Sequence, residues 1–186
     1  MEKKKLALIF PGMGYHKDKP LLYYSSRIVQ NLGYEIIHIE YLGMPPKVFD
    51  APALEKAGNI AYECTVKQLK EIDFSQYDDI LFIGKSIGTA VMARYIDDKE
   101  IPSKQIWYTP IEQTFSFNTK DAIAFIGESD PASDLNNIRK LAQENDIVLY
   151  TYPDCNHSLE CNDVDTNITN IRDVMRKTKD YITYDE

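Results

Sequence analysis

The amino-acid sequence is poor in cysteine and has no long hydrophobic run. Its three cysteines among 186 residues are an odd number without regular spacing, which argues against a disulfide-stapled secreted fold and for free thiols in a reducing compartment. Near the start, a basic stretch leads into only five consecutive apolar residues, at 6–10, which are too few for a signal-peptide core or a membrane span. We therefore expect a cytoplasmic protein that does not insert into membranes.

The sequence also has fewer basic than acidic residues. Lys and Arg number 21 against 29 Asp and Glu, which gives a formal net charge of -8. A field of this sign repels phosphate groups, so nucleic acid and anionic membranes are poor partners for the chain. The expected partner is a small molecule.

Internal repeats and low-complexity linkers are absent, and a chain of this length with 44% hydrophobic residues can bury one core. We therefore expect a single domain over residues 1–186. Six short apolar runs predict β-strands, at 6–10, 35–41, 79–83, 105–109, 122–126 and 147–152. Segments with helical apolar spacing separate them, and the last helix is expected at 164–181. This alternation predicts an α/β fold, a three-layer α/β/α sandwich with a mostly parallel six-stranded sheet.

Three predicted strands end in unusual sequences. The first runs into PGMG at 11–14, the third into GKSIG at 84–88, and the sixth into PDCNH at 153–157. Because parallel strands present their carboxyl ends at one edge, and open α/β sheets bind ligands there, these segments are expected to meet at a common site. Residues 42–52, with three prolines and a glycine, are predicted to form a loop inside the domain.

The GKSIG sequence predicts a nucleophile elbow. Side chains at Gly84 and Gly88 would clash as the backbone reverses, and the sharp turn lifts the Ser86 hydroxyl clear of the sheet. An apolar strand precedes the turn, and helical spacing follows it at 89–95. The alternative interpretation is an ordinary glycine-rich turn with an incidental N-capping serine.

A serine hydroxyl needs an adjacent base, and the sequence offers three histidines. His38 lies inside the second predicted strand, where a buried, hydrogen-bonded structural role is expected. His16 follows the first strand and could line the site. His157 follows the last strand in a short polar turn that can reach the carboxyl edge of the sheet, so it is the candidate base.

The base in turn needs an acid that fixes its tautomer. Asp130 lies just past the fifth predicted strand and is the first candidate. Glu128 competes with it, as does Asp134, although Asp134 is more naturally the N-cap of a helix at 135–145. Asp154 is too close to His157 in the sequence to fold back onto it.

The order Ser86, Asp130, His157, with the elbow after the third parallel strand, resembles the α/β-hydrolase superfamily over nearly the whole chain. GESDP at 127–131 is similar to the family's acid turn, and NHSLE at 156–160 to its histidine loop. The resemblance implies a serine hydrolase that needs no cofactor or metal. It would cleave a small acyl substrate, a carboxylester or thioester, through a Ser86-His157-Asp130 triad and an acyl-enzyme.

The resemblance also implies an oxyanion hole. In the family, the loop after the first parallel strand supplies one backbone N–H, often after a His-Gly pair. Here Pro11-Gly12 stands in that place, which makes Met13 the implied donor, and Ile87 after the nucleophile is the second. Because the family places the first and third strands of such a chain side by side, these donors are expected to meet at the point where the strand order reverses.

The connection between the fourth and fifth predicted strands, residues 111–120, is too short for a cap domain. We therefore expect a minimal α/β-hydrolase fold without a cap and with an open site. The side chains of Tyr15, His16, Met44 and 111–117 are expected to shape the pocket.

Three alternatives compete with this hypothesis. Gly84-Lys85-Ser86 matches the end of a phosphate-binding P-loop, but Asp79 stands where the earlier glycine is required. Cys155, His157 and Cys161 could hold a metal, but a fourth ligand is not apparent. The third alternative is a non-catalytic binding or interaction module with the same fold. All three triad residues stand in the family's order, which favours the enzyme.

Overall fold

Strands and helices alternate along the chain in the order that the apolar pattern predicts. The computed structural model describes residues 3–45, 51–117 and 119–184. These residues form the strands β1 Lys5–Phe10, β2 Glu35–His38, β3 Asp79–Lys85, β4 Lys104–Tyr108, β5 Ala122–Gly127 and β6 Val148–Tyr152. The helices are α1 Pro20–Asn31, α2 Ala51–Gln68, α3 Ile87–Lys99, α4 Leu135–Glu144 and α5 Val164–Thr183, with short 3₁₀ helices at Phe74–Gln76 and Glu112–Ser116.

All six strands belong to one sheet with the order β2-β1-β3-β4-β5-β6. Each neighbouring pair is parallel, so the expectation of a mostly parallel six-stranded sheet is confirmed. The chain moves outward in one direction from β1 to β2 and in the other from β3 to β6. Strand order therefore reverses between β1 and β3, and a crevice opens at their carboxyl ends.

The second strand is shorter than its apolar pattern suggests. It ends at His38, whereas the sequence predicts a strand to residue 41. The strand β2 pairs only with β1, and the register aligns His38 with Ile9. Residues 40 and 41 would therefore face Pro11 and Gly12, where β1 has ended and proline offers no N–H to a ladder.

The loop predicted at 42–52 ends earlier than expected. The helix α2 begins at Ala51, and Pro52 lies in its first turn, where the missing N–H of proline costs no helical hydrogen bond. Residues 46–50 of the predicted loop lie outside the described residues. The helix α5 begins at Val164 as expected and ends two residues past the predicted 181.

Two hydrophobic cores lie on opposite faces of the sheet. On one face, Leu8 and Phe82 pack with buried residues of α2, α3 and α4. On the other face, Ile9 and Ile83 pack with buried residues of α1 and α5. This confirms the three-layer α/β/α arrangement and explains why the central strands are almost entirely apolar. Among the described helices, none has the length and apolar character that crossing a bilayer requires.

Candidate active site

The turn between β3 and α3 holds Ser86 in an uncommon backbone conformation. Its φ is 56° and its ψ is -126°, a region that residues other than glycine rarely adopt. A Cβ atom at Gly88 would lie 2.5 Å from the carbonyl oxygen of Pro11, and one at Gly84 would lie 2.7 Å from Sδ of Met92. A Cβ atom at Gly84 would also lie 2.9 Å from the backbone nitrogen of Thr89. Gly88 is therefore required by the close approach of α3 to β1, and Gly84 by the close approach of α3 to β3.

Buried hydrogen bonds fix the conformation of this turn. The N–H of Ser86 donates to the carbonyl oxygen of Tyr108 on β4 at 2.9 Å. The Thr89 hydroxyl donates to the carbonyl oxygen of Ser86 at 2.6 Å, and its oxygen lies 2.6 Å from the hydroxyl of Thr114. Since Thr89 has already given its proton, Thr114 is the donor of that second bond. The elbow is thus tied to β4 and to the 3₁₀ helix at Glu112–Ser116.

The structure brings Ser86, His157 and Asp130 together from the ends of three strands. Nε2 of His157 lies 2.7 Å from Oγ of Ser86, and Nδ1 lies 2.7 Å from Oδ2 of Asp130 and 2.9 Å from Oδ1. The Asp130 side chain is 1% exposed and that of His157 is 21% exposed. A carboxylate can only accept, so Nδ1 carries a proton and the neutral ring leaves Nε2 free to accept from the serine.

Close backbone packing holds the acid turn against the histidine loop. The N–H of Ser129 donates to the carbonyl oxygen of Cys155 at 2.9 Å, and the N–H of Ala132 donates to Oδ1 of Asp130 at 2.8 Å. A Cβ atom on Gly127 would overlap the carbonyl oxygen of Cys155 and would lie 2.6 Å from that of Asn156. Only glycine permits this approach, which brings Asp130 and His157 into contact.

The competing acids have other partners. The Asp134 carboxylate accepts from the N–H groups of Asn136 and Asn137 and caps α4, the role that its position before the helix predicts. Glu128 lies 2.7 Å from the guanidinium of Arg139 at the surface. Asp130, in contrast, is in direct contact with His157.

The two residues implied as oxyanion donors adjoin the turn at Ser86, Met13 in the loop after β1 and Ile87 at the start of α3. The loop after β1 is a tight turn in which the N–H groups of Gly12 and Tyr15 are bonded, while that of Met13 takes no part in these bonds. A Cβ atom on Gly12 would lie 3.2 Å from Cβ of Ser86, so this loop lies directly against the elbow. Ile87 begins α3, and the first N–H groups of a helix have no acceptor within it.

The other two histidines take no part in these contacts. His16 is exposed and pairs with Asp18 at 3.4 Å. His38 was expected to be hydrogen-bonded, and this expectation is wrong for one ring nitrogen: its Nδ1 is buried without a partner among the described residues. Burial lowers the pKa of His38, because desolvation disfavours the charged ring.

Two grooves open beside the elbow. The groove between α2 and α3, which we call the α2–α3 groove, has a volume of about 410 Å³. Its walls include Leu54, Gly58, Ile87, Val91, Ile111 and Phe117. A second groove of about 600 Å³, the Met13 groove, is lined by residues that include Gly12, Met13, His16, Glu40 and Met44. Parts of 111–117 line the first groove, and His16 and Met44 line the second.

Tyr15 does not line either groove. It is 7% exposed, and its hydroxyl oxygen accepts from the N–H of Leu21 at 3.1 Å. Its ring lies 5.0 Å from Nζ of Lys85, a distance suited to a cation–π contact. The expectation that Tyr15 shapes the pocket is therefore wrong, since the side chain turns into the core beneath the elbow.

The burial of Lys85 was not predicted from the sequence. Its side chain is among the largest fully buried ones in the described chain, although lysine is seldom buried. Alternate residues of a strand lie on the same face of the sheet, and this spacing could have indicated the burial of Lys85. Leu81, Ile83 and Lys85 share one face of β3, and the first two lie in the core beside α1 and α5. Strand period therefore predicts that the lysine also points inward.

Comparisons with known proteins show the fold. No protein-family model matches the sequence, and a search of curated proteins finds no relative. Among solved structures, Est1E from Butyrivibrio proteoclasticus with bound ferulic acid superimposes with a TM-score of 0.71 at 15% identity, covering 99% of this chain and 90% of that one. The Pyrococcus furiosus esterase Pf2001 gives a TM-score of 0.70 at 11% identity, covering 98% and 83%.

A protein from Xanthomonas campestris described as an α/β serine hydrolase without a lid, XC6422, is also similar. It superimposes with a TM-score of 0.65 at 15% identity, and the match covers 98% of this chain and 84% of that one. The chain itself has a parallel sheet between two helical layers. The chain therefore has the α/β-hydrolase fold, in a minimal form that shows no cap domain within the described residues.

Proposed function

We propose that the protein is a serine hydrolase that cleaves a carboxylester or thioester through an acyl-enzyme on Ser86. The observation that carries the proposal is the unbroken hydrogen-bonded chain from Asp130 through His157 to Ser86, with distances of 2.7 Å at each step. The order of donors along this chain leaves the basic nitrogen facing the hydroxyl, which is the arrangement that nucleophilic catalysis by serine requires.

In the first step, Ser86 attacks the carbonyl carbon of the substrate while Nε2 of His157 takes the hydroxyl proton. The negative charge moves to the carbonyl oxygen, which the N–H groups of Met13 and Ile87 stabilise. Loss of one such donor typically reduces turnover by about a hundred- to a thousandfold. The Asp130 carboxylate, almost completely buried, stabilises the imidazolium that forms.

The tetrahedral intermediate then collapses. His157 gives its proton to the leaving alcohol or thiol, the bond to the leaving group breaks, and the acyl group remains on Ser86. A water molecule repeats the sequence: His157 takes its proton, hydroxide adds to the acyl carbon, and the proton returns to Ser86 as the acid departs. Each step uses groups of the chain and water alone.

The site is suited to a small ester more than to a polymer. The open grooves beside the elbow have volumes in the range of small-molecule sites, and the net charge of -8 does not favour polyanionic substrates. Two of the structurally similar proteins are named esterase or were solved with an aromatic carboxylic acid. These properties favour an ester of a small carboxylic acid as the substrate.

Labelling with a fluorophosphonate probe tests the proposal. The probe reacts only with an activated serine, so the wild-type protein should take up label and Ser86→Ala should not. Ser26→Ala on α1, where the hydroxyl bonds to a helical carbonyl, is the matched control and should label like the wild type. If the wild type takes no label, or Ser86→Ala labels equally, the proposal is wrong and a binding module with this fold becomes the better interpretation.

A further inference from the structure

The α2–α3 groove begins at Ile87, the residue after Ser86, and follows one face of α3. Ile87, Ala90, Val91 and Arg94 line it, and their spacing of three and four residues places them in one row on the helix. Ile87 directly follows Ser86, so the row leads away from the reacting atom. Its first three members are apolar and its last is charged, so the groove changes from apolar near Ser86 to polar at Arg94.

The opposite wall contains a glycine that no contact requires. Gly58 lies within the helix α2, where glycine is among the least favourable residues. A Cβ atom at Gly84, Gly88 or Gly127 would collide with neighbouring atoms, whereas one at Gly58 would meet no atom of the described residues within 4 Å. Its only evident structural effect is to leave the groove open at this point.

The far end of the groove is polar. The Arg94 guanidinium stacks on the Tyr62 ring at 3.9 Å and donates to Oδ1 of Asn59 at 3.0 Å, and Asn59 also lines the groove. An apolar chain gains nothing by passing this point, because it would displace water from charged groups without replacing their hydrogen bonds. The apolar part is therefore limited in length.

The distance from Ile87 to Arg94 sets that length. Seven residues of helix span about 10 Å at 1.5 Å per residue. Carbon–carbon bonds of about 1.5 Å in a zigzag advance an extended chain by about 1.25 Å each, so about eight carbons fill this distance. A hexanoyl to octanoyl chain matches the apolar part of the groove.

The walls also indicate which part of the substrate enters. The leaving group must receive a proton from Nε2 of His157, so it lies on the side of the histidine loop. The walls of the α2–α3 groove come from α2, α3 and 111–117, and none of these segments carries Asp130 or His157. Resting on the proposed hydrolase function, we infer that this groove binds the acyl chain of a medium-chain ester, and that Gly58 leaves the room for it.

A series of p-nitrophenyl esters from acetate to decanoate tests this inference on the full chain. In the wild type, kcat/KM should rise with acyl length up to hexanoate or octanoate, by at most about fourfold for each methylene that leaves water, and should then stop rising. In Gly58→Leu the new side chain occupies the groove. The ratio of kcat/KM for octanoate to that for acetate should therefore fall by about tenfold or more.

Two further measurements keep the outcome decisive. Lys56→Leu, an exposed position on the same helix that does not line the groove, should keep the wild-type profile. A series of alkyl acetates, which lengthens only the alcohol, should show the same length dependence in the wild type and Gly58→Leu. If Gly58→Leu destabilises the protein, Gly58→Ala provides the same test with a smaller fall in the octanoate-to-acetate ratio, about threefold.

The outcomes distinguish an error in the acyl-chain assignment from an error in the proposed hydrolase function. An unchanged acyl-length profile in folded Gly58→Leu, or a change confined to the alkyl acetates, overturns the acyl assignment while the hydrolase function stands. No cleavage of any ester, together with no fluorophosphonate labelling of Ser86, overturns the proposed function and this inference with it.

Discussion

The glycines of the catalytic turns and the glycine of the α2–α3 groove serve opposite purposes. At Gly88 and Gly127, neighbouring carbonyl groups approach so closely that no side chain fits. At Gly58 a Cβ atom would have no neighbour within 4 Å in the part of the chain that the structure describes. The half of the candidate site that contains Ser86, Asp130 and His157 is therefore held by close contact between backbone segments, whereas the groove half contains open space.

We therefore expect the triad region to determine the reaction rate and the groove to determine which substrate is preferred. In the region of the triad residues, displacement of a single side chain breaks the hydrogen bonds from Asp130 to His157 and from His157 to Ser86, which are 2.7 Å each. In the groove half, a side chain can grow into open space without moving the triad. We therefore expect substitutions in the first region to reduce turnover or stability, and those in the second to change which ester is preferred.

Removal of the base should have the largest effect. In His157→Ala nothing accepts the proton of Ser86, so kcat should fall by about a millionfold, as is typical for loss of the base in such triads. Ester hydrolysis measured by stopped-flow and endpoint assays covers this range. A loss of less than about a hundredfold would show that His157 is not the base.

Replacement of the acid should have a smaller effect. Asp130→Asn keeps the shape of the side chain but allows the wrong tautomer of His157, so kcat should fall by about ten-thousandfold. Glu128→Gln is the matched control, because Glu128 pairs with Arg139 at the surface, and its kcat should stay near that of the wild type. Equal losses in the two variants would contradict the assignment of Asp130.

A methyl group on Gly127 should reduce the stability of the protein. Gly127→Ala forces the acid turn and the histidine loop apart, because its Cβ would overlap the carbonyl oxygen of Cys155. The free energy of unfolding should fall by about 3 kcal/mol, measured by urea denaturation. An unfolding midpoint equal to that of the wild type would show that this close approach is not needed.

A glycine-to-alanine substitution in the groove should have the smallest effect of these changes, and it should increase the stability of the protein. Gly58→Ala removes a poor helix former, and the added methyl group meets no atom among residues 3–45, 51–117 and 119–184, so the free energy of unfolding should rise by about 1 kcal/mol. For a chain of this size, that corresponds to an increase in Tm of about 2–4 °C. A decrease in Tm would mean that the space beside Gly58 is not open.

The sequence allowed much of the fold and of the candidate triad to be predicted, since their signals are local. The run of apolar residues in β3 and the GKSIG turn each lie within a few positions, and strand order along the chain places Asp130 and His157 at the same edge. Strand ends were less certain. The early end of β2 depends on its register with β1, which is not encoded in β2 itself.

The groove and the buried side chains could not be predicted in the same way. The α2–α3 groove arises where two helices separated in the chain approach each other, and the apolar residues of each helix equally fit a closed core. Tyr15 has the composition of a pocket residue, yet its hydroxyl accepts from Leu21 and its ring contacts Lys85. Such outcomes depend on the tertiary packing of particular side chains.

The elbow at Ser86 has a consequence for how the protein matures. Its conformation depends on β1, whose end contacts Gly88, and on β4, whose Tyr108 carbonyl accepts from Ser86. These strands are far apart in the sequence, so a partly folded or newly made chain has an ordinary, unreactive serine. On the proposed function, reactivity towards an electrophile should therefore appear only when the central sheet has assembled, and the rate at which labelling recovers during refolding should report the completion of the fold.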